Sequence, residues 1–300
     1  MTQSRRVVFF GNERLVSGLK HTDTPILSGL IKQGYDVVAI VANHTDARSR
    51  SARSLEVADI AHEHNIPLLL PDKPGGIEHQ LRSLKADFAV LSAYGRIIPQ
   101  RIIDVFAPVG IINIHPSLLP KYRGSTPIES AILDGETKTG VSIMQLSRGM
   151  DEGPIYAQQS FSLRGDETKF EIYEQLSSIG AQLLFSVLPD ILSGELLPKP
   201  QQDDVASYTT TIIKSSGMLD PSTDTATTIE RKIRAYLGFP KSTYRFHDNN
   251  VIITSAKIVK QSIENEFCVS CADNTTLLIE SLIAPSGKTM TGAAYLRGLR

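Results

Sequence analysis

The chain has 300 residues, of which 41% are hydrophobic and 21% charged, and its formal net charge is −1. This composition is ordinary for a soluble globular protein, and the length allows two domains or one large one with a sizeable core. The balanced charge excludes a globally basic nucleic-acid binder, although not a local basic surface. The apolar run at residues 7–11 is too short for a signal peptide or a membrane span. We therefore expect a cytoplasmic protein with no membrane partner.

Strand and helix patterns alternate through the first third of the chain. They lie at residues 6–11, 25–33, 36–41, 56–65, 67–70, 77–86 and 88–93. Strand–helix–strand units at this spacing predict right-handed parallel crossovers, and so a mostly parallel, Rossmann-like α/β sheet. The first strand ends in Gly-Asn-Glu-Arg at residues 11–14 rather than in Gly-x-Gly-x-x-Gly, which argues against a dinucleotide cofactor.

A polar stretch at residues 43–55 carries Arg48, Arg50 and Arg53, and we call these three arginines the basic loop. For most stretches of this kind, a solvated loop is the better interpretation. Contact with RNA is the alternative, because guanidinium groups suit phosphates and unstacked bases.

A polar pair lies at the end of the apolar, β-branched strand pattern at residues 109–114. Asn113 and His115 are two residues apart, so on a strand they point to the same face. Open α/β sheets place their chemistry at such strand ends. We therefore interpret this stretch as the candidate active site.

These residue types suit acyl transfer. The amide of Asn113 can donate to a carbonyl oxygen and to the oxyanion it becomes, and His115 can donate or move a proton near neutral pH. Asp151, on the loop after a strand pattern at residues 140–146, could orient the histidine and take up a proton. With no Ser or Cys nucleophile evident, the set favours direct transfer through a tetrahedral intermediate. The alternative is structural, with Asn113 and Asp151 in turns and His115 half-buried.

The remaining patterns complete two domains. Residues 126–133 predict a helix, 140–146 an edge strand, 155–163 its hairpin partner and 169–191 a helix that covers the core. The Pro-rich polar stretch 197–204 is typical of a linker, which gives a first domain at 1–196 and a second at 205–300.

The second domain predicts a small barrel. One helix at 228–236 is followed by short strands at 243–247, 250–259, 267–272 and 275–283. Short strands with Asn- and Asp-rich turns favour an OB-like β-barrel. From residue 205 onward, 11 Lys and Arg face 8 Asp and Glu, a formal charge of +3 that is compatible with RNA binding. Cys268 and Cys271 lack a second pair of ligands nearby, so we expect reduced cysteines and no zinc.

Four ordered motifs carry a family resemblance: Asn113-Ile-His115, Ser117-Leu-Leu-Pro120, Tyr122-Arg-Gly124 and Asp151-x-Gly153. The pattern resembles the folate-dependent formyltransferases. The chain is most similar to the branch that formylates methionyl-tRNA, nearly end to end. The resemblance implies 10-formyltetrahydrofolate as the donor, methionyl initiator tRNA as the acceptor and no metal.

The resemblance also implies roles for individual residues. Asn113, His115 and Asp151 would be catalytic. The folate would be bound by two groups of residues, Arg96, Ile97 and Ile98 after one strand, and Ser117, Leu118, Leu119 and Pro120 after the next, with a cis Leu119–Pro120 bond that sequence statistics alone would not favour. The basic loop and the OB-like domain would contact tRNA.

The chain departs from the family pattern in the second domain. Residues 208–211 read Tyr-Thr-Thr-Thr and lack the usual lysine, so Lys214 is the candidate replacement. Three alternatives stay open: an amino-sugar nucleotide N-formyltransferase, a formyl-tetrahydrofolate hydrolase, and an idle RNA-binding protein on the same scaffold. The hydrolase branch usually carries an N-terminal regulatory domain, for which we expect no room before Val7. We expect a monomer.

Overall fold

The computed structural model describes residues 5–19, 21–43 and 55–299. The predictions made for the basic loop, Arg48, Arg50 and Arg53, lie outside these described residues.

The described elements follow the predicted alternation. The α-helices are α1 Pro25–Lys32, α2 Glu56–Glu63, α3 Glu78–Ser83, α4 Gln100–Ile103, α5 Pro127–Asp134, α6 Lys169–Ser193, α7 Ala226–Ala235 and α8 Gly292–Arg297. The strands of the first sheet are β1 Arg6–Gly11, β2 Asp36–Val41, β3 Leu68–Leu69, β4 Phe88–Ser92, β5 Ile111–His115, β6 Lys138–Gln145 and β7 Ile155–Ser162. Those of the second are β8 Ser242–Phe246, β9 Asn249–Val259, β10 Cys268–Ser270, β11 Thr276–Ile283 and β12 Thr289–Thr291.

The first sheet has the order β3-β2-β1-β4-β5-β6-β7. Its first five strands are parallel, and β6 and β7 are antiparallel additions. The mostly parallel α/β sheet is therefore confirmed. Because the strand order reverses between β1 and β4, a crevice opens at the carboxyl ends of these strands.

Helices cover both faces of this sheet, which explains why β1 is apolar from Val7 to Phe10. Val7 and Phe9 face one core with Leu27 of α1 and Leu184 of α6. Val8 and Phe10 face the other core with helices α3 and α4. A parallel strand buried on both faces reads as a continuous apolar run rather than as an alternating one.

The edge position predicted for residues 140–146 is wrong. β6 lies between β5 and β7, and the outer strand is the largely exposed β7. The polar Ser142 made β6 look half-exposed, yet it is fully buried, and its hydroxyl donates to the carbonyl of Ser117 at 2.7 Å. A buried hydroxyl with such a partner is tolerated inside a sheet.

Helix α6 is the longest element. Thr168 and Glu171 form a capping box at its start, and Gly194 in a left-handed conformation ends it. Among the described residues, it is the helix long and apolar enough to cross a membrane. Its apolar stripe, which includes Ile172 and Leu176, packs into the core of the first sheet.

The second sheet is antiparallel and curls into a half-barrel of order β10-β11-β9-β8, with β12 paired to β11. Helix α7 packs Ile229 and Ile233 into its core. This arrangement agrees with the predicted OB-like domain, although the sequence did not predict β12 and α8. Cys268 and Cys271 are free thiols.

The chain between the two sheets runs along the first domain. Lys199 pairs with Ile155, and Tyr208 pairs with Arg123, as isolated β-bridges. After a short 3₁₀ turn at Lys214–Gly217, Met218 pairs with Thr243 and joins the second sheet. The predicted linker therefore makes ordered hydrogen bonds to the first domain.

Candidate active site

A cavity of about 360 Å³ lies at the carboxyl ends of β1, β4 and β5. Its walls come from loops that follow these strands and from the loop between β6 and β7: Arg14, Leu15, Leu91, Ala93, Tyr94, Gly95, Arg96, Ile97, Ile98, Asn113, Ile114, His115, Pro116, Gly124, Ser125, Pro127, Leu146, Ser147, Arg148, Gly149, Met150 and Asp151. The volume is within the range of small-molecule sites, and the location is the switch point of the sheet.

Asn113 and His115 lie at the end of β5 and both line this cavity. Their side chains are almost fully buried, at 5% and 4% exposure. Nε2 of His115 lies 2.9 Å from the carbonyl oxygen of Tyr122. Since a carbonyl only accepts, Nε2 carries a hydrogen, and Nδ1 is the ring nitrogen that remains for proton exchange.

Asp151 faces both residues from the loop between β6 and β7. One carboxylate oxygen, Oδ2, lies 3.5 Å from Nδ1 of His115, and the other, Oδ1, lies 3.5 Å from Nδ2 of Asn113. The backbone N–H of Gly124 donates to Oδ2 at 2.8 Å. The structure thus brings together the three residues that the sequence predicted as a set.

Backbone constraints explain the fixed Asp-x-Gly spacing. Asp151 has φ 52°, a left-handed conformation that is disfavoured for a residue other than glycine. A Cβ atom at Gly153 would overlap the carbonyl oxygen of Gln145, so a side chain there would push the loop away from β6. The conformation that presents Asp151 to the cavity therefore depends on Gly153.

The three residues predicted after β4 also line the cavity. Ile97 is 79% exposed at the rim, while Ile98 is buried in the wall. The guanidinium of Arg96 folds back to donate to the carbonyl oxygens of Pro71 and Asp72. This contact fixes the turn that follows β4, so its backbone is held in place.

The second predicted folate group, Ser117 to Pro120, is not among the lining residues. Ser117 and Leu119 are buried, and the Leu119–Pro120 bond is cis as the resemblance implied. The backbone N–H of Leu119 donates to Oγ of Ser142 at 3.0 Å, and Gln158 donates to the Leu119 carbonyl at 2.8 Å. The segment that follows β5 is thus bound to Ser142 of β6 and Gln158 of β7.

Residues 6–188 match the formyl transferase family, and residues 211–300 match its C-terminal domain. This chain belongs to the formyl transferase family.

Curated relatives of this formyl transferase span almost its full length. Methionyl-tRNA formyltransferase of Sulfurihydrogenibium sp. (strain YO3AOP1) is 34% identical, with 91% of this chain and 93% of the relative covered. The enzyme of the same name from Halorhodospira halophila (strain DSM 244 / SL1) is 32% identical, with 98% and 96% covered.

Solved structures share the fold of this formyl transferase at lower identity. An N-formyltransferase from Helicobacter canadensis, in complex with folinic acid and dTDP-3-aminofucose, aligns with a TM-score of 0.70 at 20% identity over 92% of this chain and 99% of its own. HypX from Aquifex aeolicus, in complex with tetrahydrofolic acid, aligns with a TM-score of 0.67 at 17% identity over 97% of this chain and 46% of its own.

Lys214 lies apart from the formyl transferase cavity. It is exposed at the start of the 3₁₀ turn Lys214–Gly217 and does not line the cavity. Within residues 5–19, 21–43 and 55–299, no group of three or more His, Cys, Asp or Glu side chains is placed to hold a metal ion.

Two residues that contact the candidate catalytic residues were not singled out as functional by sequence reasoning. The carbonyl of Tyr122 fixes the ring of His115, and the N–H of Gly124 fixes the carboxylate of Asp151. Both act through backbone atoms, so residue type gave no direct signal. Their place in the Tyr122-Arg-Gly124 motif was the available indication.

Proposed function

We propose that this formyl transferase moves the formyl group of 10-formyltetrahydrofolate to the α-amino group of methionine on initiator tRNA. The observation that carries the proposal is the convergence of Asn113, His115 and Asp151 on one cavity. The acceptor assignment is supported by relatives named methionyl-tRNA formyltransferase that match both domains over nearly the whole chain.

Asn113 and His115 would stabilise the charge that develops on the formyl oxygen. When the amine attacks the formyl carbon, the carbonyl oxygen becomes an oxyanion. The buried amide of Asn113 is a donor that needs little reorganisation, and His115 donates through Nδ1 when that nitrogen carries a proton, since Nε2 is bound to the Tyr122 carbonyl. Removing one such donor typically costs about 10²–10³ in rate. Their shared face at the end of β5 gives both access to the same oxygen.

Asp151 would assist the proton transfers that accompany the movement of the formyl group. The attacking amine must lose a proton during transfer, and the departing nitrogen of the donor must gain one. The carboxylate lies beside Nδ1 of His115, where it can stabilise a proton on the ring or accept one through water. Its orientation is set by the N–H of Gly124.

The cavity fits the donor as a co-substrate. Leu91, Ile98 and Leu146 supply apolar walls for a flat ring, and the backbone at residues 95–98 supplies polar groups at its edge.

The acceptor would be held outside the cavity. We assign tRNA contacts to the basic loop, to Lys214 and to the weakly basic second domain, with the boundaries predicted at 1–196 and 205–300. We also propose that the enzyme acts as a cytoplasmic monomer.

An acceptor assay tests the proposal. The protein and 10-formyltetrahydrofolate are incubated with charged initiator methionyl-tRNA, with a dTDP-amino-sugar, or with no acceptor, and the formylated product is measured. Of the three incubations, we expect formylated product only in the one that contains charged tRNA. Product with the sugar would identify a sugar N-formyltransferase, and release of formate without acceptor would identify the hydrolase. No reaction, with tRNA still bound, would identify the idle RNA-binding alternative.

A further inference from the structure

The predicted linker supplies a side chain to the loop that carries Asp151. Nε2 of Gln201 donates to the carbonyl oxygens of Asp151 and Gly153, each at 2.7 Å. An amide NH₂ has two hydrogens, so each carbonyl can receive one. These two carbonyls lie on either side of Glu152 in the chain. The side chain of Gln201 therefore binds the backbone both before and after Glu152.

The other end of the same amide is fixed as well. Oε1 of Gln201 accepts from Nε and Nη2 of Arg123 at 3.0 and 2.9 Å. A guanidinium only donates and a carbonyl only accepts, so a flipped amide would lose all four contacts. Gln201 consequently has a single favourable orientation.

Arg123 is a rigid anchor for this contact. It is 1% exposed, and its guanidinium also donates to Asp203 at 2.7 Å and to the Tyr208 hydroxyl at 3.0 Å. Its backbone N–H donates to Ser207, and its carbonyl accepts from Thr209, both at 2.8 Å. A buried cation with this many partners is costly to displace.

The residues on either side of Arg123 contact the catalytic set directly. Tyr122 holds His115 through its carbonyl, and Gly124 holds the Asp151 carboxylate through its N–H. Residues 122–124 thus fix His115 and one end of Asp151. Gln201 spans from Arg123 to the backbone of Asp151, where φ is 52° and the surroundings must maintain the conformation.

We propose that Gln201 is a positioning residue for formyl transfer, which holds the carboxylate of Asp151 against His115 by binding the backbone on both sides of the turn. The inference rests on the proposed function, because formyl transfer is the reaction whose rate Gln201 would affect. Neither Gln201 nor Arg123 lines the cavity. The effect should therefore appear in turnover and not in binding of the donor.

Three variants test the role. Gln201→Glu keeps the size and the acceptors for Arg123, but its carboxylate faces the two carbonyls without a hydrogen to donate. Gln201→Met keeps the length, adds no charge and removes both donors. Gln202→Glu is the matched control, because Gln202 is the exposed neighbour. A displacement of about 1 Å at a catalytic group can cost about 10²-fold.

The kinetics are measured with charged tRNA on the full chain, together with the calorimetric affinity for 10-formyltetrahydrofolate and the thermal midpoint. We expect kcat to fall about 10- to 100-fold in both Gln201 variants, with the donor affinity unchanged and Gln202→Glu like wild type. The thermal midpoint should fall modestly, because hydrogen bonds to a buried guanidinium are lost. Wild-type kcat in Gln201→Met would overturn the inference. A fall in kcat matched by equal losses of donor affinity and stability would also overturn it, since that is a structural role.

The result separates this inference from the proposed function. If wild type and Gln202→Glu form no formyl-methionyl-tRNA, the proposed function fails. If both are active and the Gln201 variants match them, only the positioning role fails. If Gln201→Glu does not fold, the neutral Gln201→Met variant carries the test.

Discussion

Replacement of Asp151 by asparagine removes the charge of the carboxylate and the acceptor that it offers to Asn113. The amide oxygen of the variant can take the place of Oδ2 and keep the hydrogen bond from Gly124. The amide NH₂ then faces Nδ2 of Asn113, where the native Oδ1 lies 3.5 Å away. The shape of the turn is retained, and the negative charge beside His115 is lost.

The geometry sets the size of the effect. Oδ2 of Asp151 lies 3.5 Å from Nδ1 of His115. A carboxylate at that distance can hold a proton on the ring or exchange one with it through a water molecule. Removal of a positioned acid or base typically costs about 10²–10⁴ in rate, which is about 3–5 kcal/mol. We therefore expect kcat of Asp151→Asn to fall by about 10²–10⁴.

Single-turnover formation of formyl-methionyl-tRNA measures this loss, and calorimetry measures donor affinity. Donor affinity should survive, because residues 96–98 form a separate wall of the cavity. Glu152→Gln is the control, since Glu152 is the adjacent carboxylate, accepts from the Tyr208 hydroxyl and does not line the cavity. A folded Asp151→Asn protein that binds the donor and turns over normally would refute the reasoning.

Three further predictions can be tested, two from the structure and one, on the basic loop, from the sequence alone. Asn113→Ala and His115→Ala should each lower kcat about 10²–10³-fold with the fold intact, and normal turnover would remove that residue from the mechanism. Alanine at all three arginines of the basic loop should reduce the slope of log tRNA affinity against log salt by about one per arginine, and an unchanged slope would exclude phosphate contacts there. Burial raises the pKa of Glu13 from 4.5 to about 7, although the N–H groups of Ile26 and Leu27 lower it. The protonated carboxyl is thus favoured in the folded state, and its contribution to the free energy of unfolding is lost as pH rises from 4.5 to about 7. Relative to Glu13→Gln, the free energy of unfolding of wild type should therefore fall by about 3 kcal/mol across that range, as measured by chemical denaturation. A constant difference in this free energy between the two proteins would contradict the pKa shift.

The parallel sheet could be predicted because its signals are local, and so could the meeting of Asn113, His115 and Asp151 at one cavity. Buried parallel strands are continuous apolar runs, and the polar Asn113 and His115 interrupt such a run at its carboxyl end. Asp151 was found through a motif with a fixed Asp-x-Gly spacing, and the overlap that a Cβ at Gly153 would cause explains why that spacing is fixed.

The inner position of β6 could not be predicted, because tertiary hydrogen bonds leave no local pattern. Ser142 is polar and reads as an exposed position, yet its partners come from Ser117, Leu119 and Gln158. For the same reason, the sequence did not predict that residues 197–209 support the active site through hydrogen bonds. A Pro-rich, polar composition is typical of a linker. It does not indicate that Gln201 forms hydrogen bonds to Gly153 and Arg123, which lie 48 and 78 residues away in the chain.

The connection between the domains therefore has two physical roles, and its amino-acid composition alone does not distinguish them. As a spacer, it leads from helix α6 to the second sheet, and that role needs only length and polarity. As a support, it needs Gln201 at one position, and Asp203, Ser207 and Tyr208 where they meet Arg123. A first domain cut at residue 196 would keep Asn113, His115 and Asp151 but lose every one of these contacts. The guanidinium of Arg123 thus contacts the path to the second domain directly and the loop of Asp151 through Gln201. With the proposed positioning role, the placement of Asp151 depends on residues that follow the predicted end of the first domain.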